Sequence, residues 1–257
     1  MPVESGQMRP RRPPLLDRMR LLFESRSAIP RVRIDPLHAD VPALRQAEIA
    51  AIYYGQRMAG DFYEFLRVGR TRVLFGLFDI AGRRDTRQIL IAAQETFRTL
   101  ATQLFAAIDV HEADAMIELS QELNHTILQF DGSVRSCPAF LGCFNEDLGT
   151  VCYANASHTP GLLRDATGIR RLATTGLPLG LFSHTTRDAY TVSLDPGAVL
   201  LIVSLGIIEP DHKGEEFGVE GVSAALQQAS PAAPQDLCLA ILHAAQQFMR
   251  TFRLTMM

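Results

Sequence analysis

Residues 58–65 read MAGDFYEF, and residues 73–82 read VLFGLFDIAG. The second stretch is an apolar run of strand length that ends on Asp79, and in the first a glycine turn is followed by Asp61 at the start of another extended run. A charge at the end of a buried strand costs free energy unless a cation or hydrogen-bond donors compensate it. Two aspartates at one rim of adjacent antiparallel strands are therefore a candidate oxygen-ligand pair for Mg²⁺ or Mn²⁺. Aspartate is also a common turn residue at strand ends, so this pair alone leaves both interpretations open.

The pattern around these stretches alternates between strands and helices in blocks. Extended segments are predicted at 47–54, 61–68, 72–80, 137–145, 150–154, 161–164, 188–194, 198–204 and 252–257. Helices are predicted for a first pattern running from Leu90 to Leu104, for a second from Met116 to Ile127, and for 219–228 and 235–250. Strands, then helices, then strands are typical of an α+β fold with antiparallel sheets between helical layers.

The composition predicts one folded domain, and the sequence predicts that it is located in the cytoplasm. The 257 residues are 47% hydrophobic, which is enough for one sizeable core. No stretch approaches the roughly 20 apolar residues that span a bilayer, and the N-terminus lacks the apolar core of a secretion signal. The four cysteines form no C-x-x-C pair, so they are expected to be reduced core residues.

Residues 1–33 are expected to form a basic, partly disordered leader before a domain at 34–257. The leader has eight arginines against three acidic residues, whereas the remainder of the chain is acidic. A solvated leader is favoured over an arm for nucleic acid, so no nucleic-acid partner is expected. The apolar residues between Leu15 and Phe23 fall at helical spacing, and such a short helix is expected to dock on its own domain or to pair with a second copy in a homodimer, rather than to lie on a membrane.

Several short motifs follow one another in an order that resembles the SpoIIE branch of the protein phosphatase 2C superfamily, the PPM-type metal-dependent serine/threonine phosphatases. They are GDFY at 60–63, DIAG at 79–82, YANASHTP at 153–160, GLPLG at 176–180 and EFG at 216–218. The similarity covers about residues 45–257. It implies a four-layer αββα sandwich with a binuclear metal site at the rim of the sheets, where cations activate water for attack on phosphoserine or phosphothreonine. On this resemblance Asp61 and Asp79 are metal-binding and catalytic residues, and the backbone carbonyl of Ile80 is a further ligand.

Two motifs of the resemblance are degenerate. The T-D-G motif, whose aspartate holds a metal, falls on Ser204-Leu205-Gly206. The D-D-x-T motif falls on residues 252–255, where Phe252 and Arg253 replace its aspartates. A pocket that keeps two of about four carboxylates faces a pair of cations with too little negative charge. We therefore expect at most one Mg²⁺ or Mn²⁺ ion, and no metal at all if the guanidinium of Arg253 pairs with Asp79 instead.

Substitute ligands for the lost aspartates are available nearby in the sequence. Glu209 and Asp211 follow Leu205, although a solvated loop is the favoured interpretation of that segment. His158 could contact phosphate, but a structural hydrogen-bonding role is favoured.

Two functions are consistent with these observations, besides a weaker alternative in which residues 1–33 anchor the domain to a partner and the pocket is only a relic. The first is a pseudophosphatase that serves as a regulatory or binding module in bacterial partner switching, with a phosphorylated anti-anti-sigma-like protein as partner. The second is an active Mn²⁺- or Mg²⁺-dependent phosphatase with a reduced metal site.

Overall fold

The computed structural model describes residues 41–52, 61–82, 87–130, 134–184, 186–209, 211–212, 215–229 and 233–254. At several positions, Asp61 and residues 250–254 among them, it describes the backbone alone. The leader expected at residues 1–33, with its short helix, lies outside this range.

Twelve strands and five helices occur in the described part of the chain. The strands are β1 (Asp61–Val68), β2 (Arg72–Asp79), β3 (Ala81–Gly82), β4 (Val134–Ser136), β5 (Ala139–Asn145), β6 (Thr150–Ala156), β7 (Gly161–Asp165), β8 (Gly168–Leu172), β9 (Tyr190–Ser193), β10 (Val199–Leu201), β11 (Asp211–His212) and β12 (Glu215–Glu216). The helices are α1 (Arg87–Phe105), α2 (Glu112–Leu128), α3 (Leu205–Ile208), α4 (Gly218–Gln228) and α5 (Pro234–Leu254).

The strands form two main antiparallel sheets. The larger has the order β1-β2-β5-β6-β9, and the smaller has the order β10-β7-β8. Each of the two remaining sheets is a pair of short strands, β3 with β4 and β11 with β12. Consecutive strands are mostly neighbours, as expected for short antiparallel connections.

The core consists of three groups of hydrophobic contacts, one between each pair of adjacent layers. One cluster fills the space between the sheets, with side chains such as Phe140 and Tyr153 of the larger sheet against Leu163 and Leu172 of the smaller. A second joins the outer face of the smaller sheet to α4 and α5, and Leu162, Val222 and Ile241 belong to it. On the outer face of the larger sheet, the ring of Phe78 in β2 meets that of Phe97 in α1 edge to face. The order of layers is thus helix, sheet, sheet, helix, which confirms the predicted αββα sandwich.

The strand predicted at 47–54 is wrong over its described part. Residues 47–52 have irregular backbone, and residues 53–54 lie outside the described range. Leu44 and Ala47 nevertheless pack against the cluster between the sheets. The apolar pattern of this segment therefore reflects burial without pairing to a strand.

The extended piece predicted at 252–257 is wrong as far as Leu254, where α5 ends. Residues 255–257 lie outside the described range. Helix α5 begins at Pro234, a residue that favours the first turn of a helix. Its buried positions Leu237, Ile241 and Ala245 form one face at a spacing of four residues, and the helical backbone continues past the predicted boundary to Leu254.

Candidate metal centre

The two aspartates of the sequence prediction lie directly opposite each other. Asp61 and Asp79 are register partners across the antiparallel pair β1–β2. The next pair inward, Phe62 and Phe78, has parallel rings with centroids 4.4 Å apart. Because Phe78 faces α1 and successive residues of a strand point to opposite faces, Asp79 belongs to the face turned towards the smaller sheet.

Asp79 is half-buried, and its backbone is held at the end of β2. Its N–H donates to the carbonyl of Pro138 at 2.9 Å, just before β5 begins. The next residue, Ile80, is 2% exposed and separates β2 from the short strand β3. The buried Ile80 side chain therefore anchors the backbone at which the predicted carbonyl ligand lies.

A turn at 155–160 adjoins this rim and is held by its own polar groups. The Asn155 side chain is buried, and its Oδ1 accepts from the N–H of His158 at 2.8 Å. Ser157 has a φ of 55°, and its hydroxyl donates to the carbonyl of Gly176 at 3.0 Å. The first bond closes the turn within the motif at 153–160, and the second connects that motif to the one at 176–180.

His158 lies within electrostatic range of Asp79. It is 5% exposed, and burial lowers the pKa of its imidazole, while the Thr159 carbonyl and then the Asp79 carboxylate act in the opposite direction. Its neighbour Thr159 donates a short hydrogen bond to the carbonyl of Val203. The turn is thereby attached to the chain two residues before Leu205.

The position of the missing T-D-G aspartate is exposed. Leu205 is 41% exposed and begins the short helix α3, with Ser204 as its N-cap residue. Glu209 is also exposed and caps the other end of α3. Asp211 lies in β11, where only the backbone is described. Leu205 therefore supplies no polar group at this position, and substitution by Glu209 or Asp211 stays a prediction.

The second degenerate motif lies on a helix. Phe252 and Arg253 are in the last turn of α5, where the side chains are not described. The pairing of Arg253 with Asp79 thus stays a prediction. The predicted final strand at these two residues is wrong, because the backbone there is helical.

Among the side chains that the structure describes, which do not include that of Asp61, no group of three or more His, Cys, Asp or Glu is placed to hold a metal. One feature does fit a single cation: the Nε2 atom of His158 is buried and has no hydrogen-bond partner among the described residues. A buried polar atom without a partner is costly, so a ligand at this atom would stabilise the site.

A cavity opens beside the same turn. It measures about 510 Å³, and half of its lining residues carry hydroxyl groups: Ser157, Thr174, Thr175 and Thr186 line it together with Gly176, Leu177, Phe182 and His184. Sequence reasoning missed this cavity and the link from Thr159 to Val203. The two depend on residues far apart in the chain, and only the quoted motifs at 153–160 and 176–180 hinted at their proximity.

The profile of the family described as Stage II sporulation protein E (SpoIIE) matches residues 87–253. This match covers well over half of the chain, and the chain belongs to the SpoIIE family.

One relative is similar in sequence, and two solved structures share the fold. The phosphoserine phosphatase RsbP of Bacillus subtilis is 25% identical over 169 residues, which are 64% of this chain and 40% of RsbP. The RsbU and RsbW domains of Rv1364c from Mycobacterium tuberculosis have the same fold, with a TM-score of 0.61 and 20% identity over 77% of this chain and 53% of that one. The catalytic domain of the serine/threonine protein phosphatase PstP, solved with two manganese ions, has a TM-score of 0.51 and 13% identity over 74% of this chain and 89% of that one.

This chain spans less than half the length of RsbP. No helix in the described residues is both long enough and apolar enough to cross a membrane.

Proposed function

We propose that this chain is a signalling domain of the SpoIIE family that has lost the ability to hold two divalent cations and serves as a regulatory or binding module. The partner is a phosphorylated regulatory protein of the anti-anti-sigma type, in bacterial partner switching in the cytoplasm. Hydrolysis of phosphoserine or phosphothreonine is then slow or absent.

The observation that carries this proposal is the state of the two degenerate motifs. Leu205 places a solvent-facing hydrocarbon where the resemblance requires a carboxylate. Phe252 and Arg253 lie in the last turn of α5, so both the residue type and the backbone differ from the expected motif. A binuclear site needs about four carboxylates to balance two cations, and Asp61 and Asp79 supply two.

A retained binding role is supported by the parts of the site that are kept. Asp61 and Asp79 are register partners, and residues that face each other directly in an antiparallel pair have Cβ atoms about 5 Å apart. The turn at 155–160 keeps its internal hydrogen bond, and the threonine hydroxyls of the adjoining cavity are suited to a phosphoryl group or a polar peptide.

The second candidate is an active phosphatase with one cation. The pair Asp61–Asp79, the Ile80 carbonyl and water molecules could hold one Mg²⁺ or Mn²⁺ ion, since Mg²⁺ keeps much of its water shell. The Nε2 atom of His158, which is buried, has no hydrogen-bond partner among the described residues and lies within electrostatic range of Asp79, would give that ion a further ligand.

Turnover on a phosphoserine peptide, measured with Mg²⁺ and with Mn²⁺, separates the two candidates. We expect no detectable turnover with Mg²⁺ and at most weak turnover with Mn²⁺, far below the roughly 1 per second of an ordinary enzyme. In parallel, calorimetry with the phosphorylated and unphosphorylated forms of an anti-anti-sigma protein should show binding without release of phosphate.

The control is Asp79→Asn, which removes the charge at the rim with little change of shape. A turnover of about 1 per second or more that disappears in this variant would overturn the proposal and establish the second candidate. Turnover that persists in Asp79→Asn would come from a contaminating enzyme and is subtracted.

A further inference from the structure

The hydrogen bonds of His158 determine which ring nitrogen carries the proton. Its Nδ1 lies 3.3 Å from the Thr159 carbonyl oxygen and 3.0 Å from Thr159 Oγ1. The carbonyl is an acceptor, and the Thr159 hydroxyl has already donated its hydrogen to the carbonyl of Val203. Both groups around Nδ1 therefore accept, so Nδ1 bears the hydrogen and Nε2 of the neutral ring has a bare lone pair.

This lone pair is buried and unused. His158 is 5% exposed, and Nε2 has no hydrogen-bond partner among the residues that the structure describes. Burial lowers the pKa of His158 and so favours the neutral ring, while the Thr159 carbonyl and then the Asp79 carboxylate act in the opposite direction. The ring thus presents an acceptor, without charge, beside a negative group.

A hydrogen-bond acceptor beside a carboxylate determines whether an anion or a cation binds there. An anionic phosphate oxygen would be repelled by Asp79 and would find no hydrogen on Nε2. A cation would be attracted by the carboxylate and would bind the nitrogen lone pair. A histidine that gives its other ring N–H to a backbone carbonyl or similar acceptor is also the usual arrangement of a metal-ligating imidazole.

We propose that His158 Nε2 binds a divalent cation directly, together with Asp79, so that the reduced site is a mixed nitrogen–oxygen centre. This inference deepens the proposed function and rests on it, because that function leaves the site at most one cation. Thr159 is then a positioning residue, since its hydroxyl, held by Val203, orients the imidazole.

The ligand set predicts which ions bind. Imidazole nitrogen suits Zn²⁺ and the other transition metals, whereas Mg²⁺ prefers oxygen ligands in a nearly octahedral arrangement. The site should therefore prefer Zn²⁺, Cd²⁺ and Mn²⁺ to Mg²⁺, unlike a site made of aspartates alone.

Nuclear magnetic resonance on the full, unmodified chain tests the inference directly. In nitrogen-15-labelled protein without metal, the His158 ring should be protonated at Nδ1. Addition of cadmium-113 chloride should shift the Nε2 resonance and produce a cadmium–nitrogen scalar coupling at that atom. A ring protonated at Nε2 in the metal-free protein, or cadmium binding without coupling to Nε2, would overturn the proposal, as would the absence of cadmium binding.

Variants give the energetic test. Loss of a residue that only supports a metal ligand weakens metal binding by roughly 10–100-fold. His158→Gln removes the ligand itself, so it should weaken Zn²⁺ and Cd²⁺ binding by more than this and leave Mg²⁺ binding almost unchanged. Thr159→Val should cause a loss of roughly 10–100-fold and a mixture of ring tautomers in the metal-free spectrum. His243→Ala, at an exposed position of α5, should alter neither and serves as the matched control.

The number of ions bound tests the proposed function separately. Calorimetry that finds two Mn²⁺ ions per chain, together with turnover, would overturn the impaired site and leave the cadmium–nitrogen coupling to decide the role of His158. Binding of one ion without that coupling would agree with the proposed impaired site but would show that His158 is not one of its ligands.

Discussion

Ser157 has a left-handed backbone conformation, with a φ of 55°. A side chain in this region is strained by about 1–2 kcal/mol, and glycine is the residue that adopts it freely. Glycine stands at this position in the Y-x-N-A-G-H-x-P motif that the segment resembles. The serine hydroxyl offsets part of the strain by donating to the carbonyl of Gly176 at 3.0 Å. In the turn that contains His158, backbone strain at Ser157 is therefore partly offset by the hydrogen bond of the same residue.

Replacement of Ser157 separates these two contributions. Ser157→Ala keeps the strain and loses the hydrogen bond, whereas Ser157→Gly loses the bond but relieves the strain. We expect the glycine variant to be more stable than the alanine variant by about 1–2 kcal/mol in urea unfolding. The same pair at Ser223, inside α4, should show the opposite order because glycine disfavours a helix. An alanine variant at 157 as stable as the glycine variant would contradict this account.

At the scale of elements, strands β2 and β5 fit together through an aromatic ring over a glycine. Phe75 and Gly142 are register partners. A Cβ atom at position 142 would lie 2.1 Å from the nearest atom of the Phe75 ring. The ring in turn packs towards Phe140, with centroids 6.4 Å apart. This close approach joins the strand that ends at Asp79 to the centre of the larger sheet.

Gly142→Ala should therefore destabilise the domain by about 1–3 kcal/mol, because the Phe75 ring must leave its place in the core. Gly206→Ala is the matched control. At position 206 an added Cβ would lie 4.0 Å from the Ser204 hydroxyl oxygen, and the residue lies in α3, so alanine should be neutral or slightly stabilising. Thermal unfolding of both variants measures the difference. Equal melting temperatures would mean that β2 and β5 have freedom to separate.

At the scale of the whole molecule, the two degenerate motifs occupy different surroundings. Leu205 follows β10 and lies near the turn at 155–160 through the bond between Thr159 and Val203. Residues 252–254 belong to α5, a helix that begins at Pro234 and packs on the smaller sheet. Restoring a carboxylate at each position thus restores the residue type in one place and leaves the backbone changed in the other.

We accordingly expect the double variant Leu205→Asp with Phe252→Asp to bind no second Mn²⁺ ion. Addition of Mn²⁺ should raise its melting temperature no more than that of the single variant Leu205→Asp. Calorimetry and thermal melts decide this. Cooperative binding of two ions by the double variant would show that only ligands had been lost and that α5 rearranges when metal binds. The Leu205→Asn variant, with similar shape and no charge, controls for the substitution itself.

The sequence by itself determined the order of layers, the strand ends at Asp61 and Asp79, and the succession of motifs that marks the family. These features are local, since strand alternation, glycine turns and helical spacing follow from neighbours in the chain. The tertiary structure alone decided that residues 47–52 are irregular, that residues 252–254 are helical, and that His158 Nε2 is a bare acceptor. Each depends on partners distant in sequence, as when the Thr159 hydroxyl reaches Val203, 44 residues away, and so assigns the proton of its neighbour's ring.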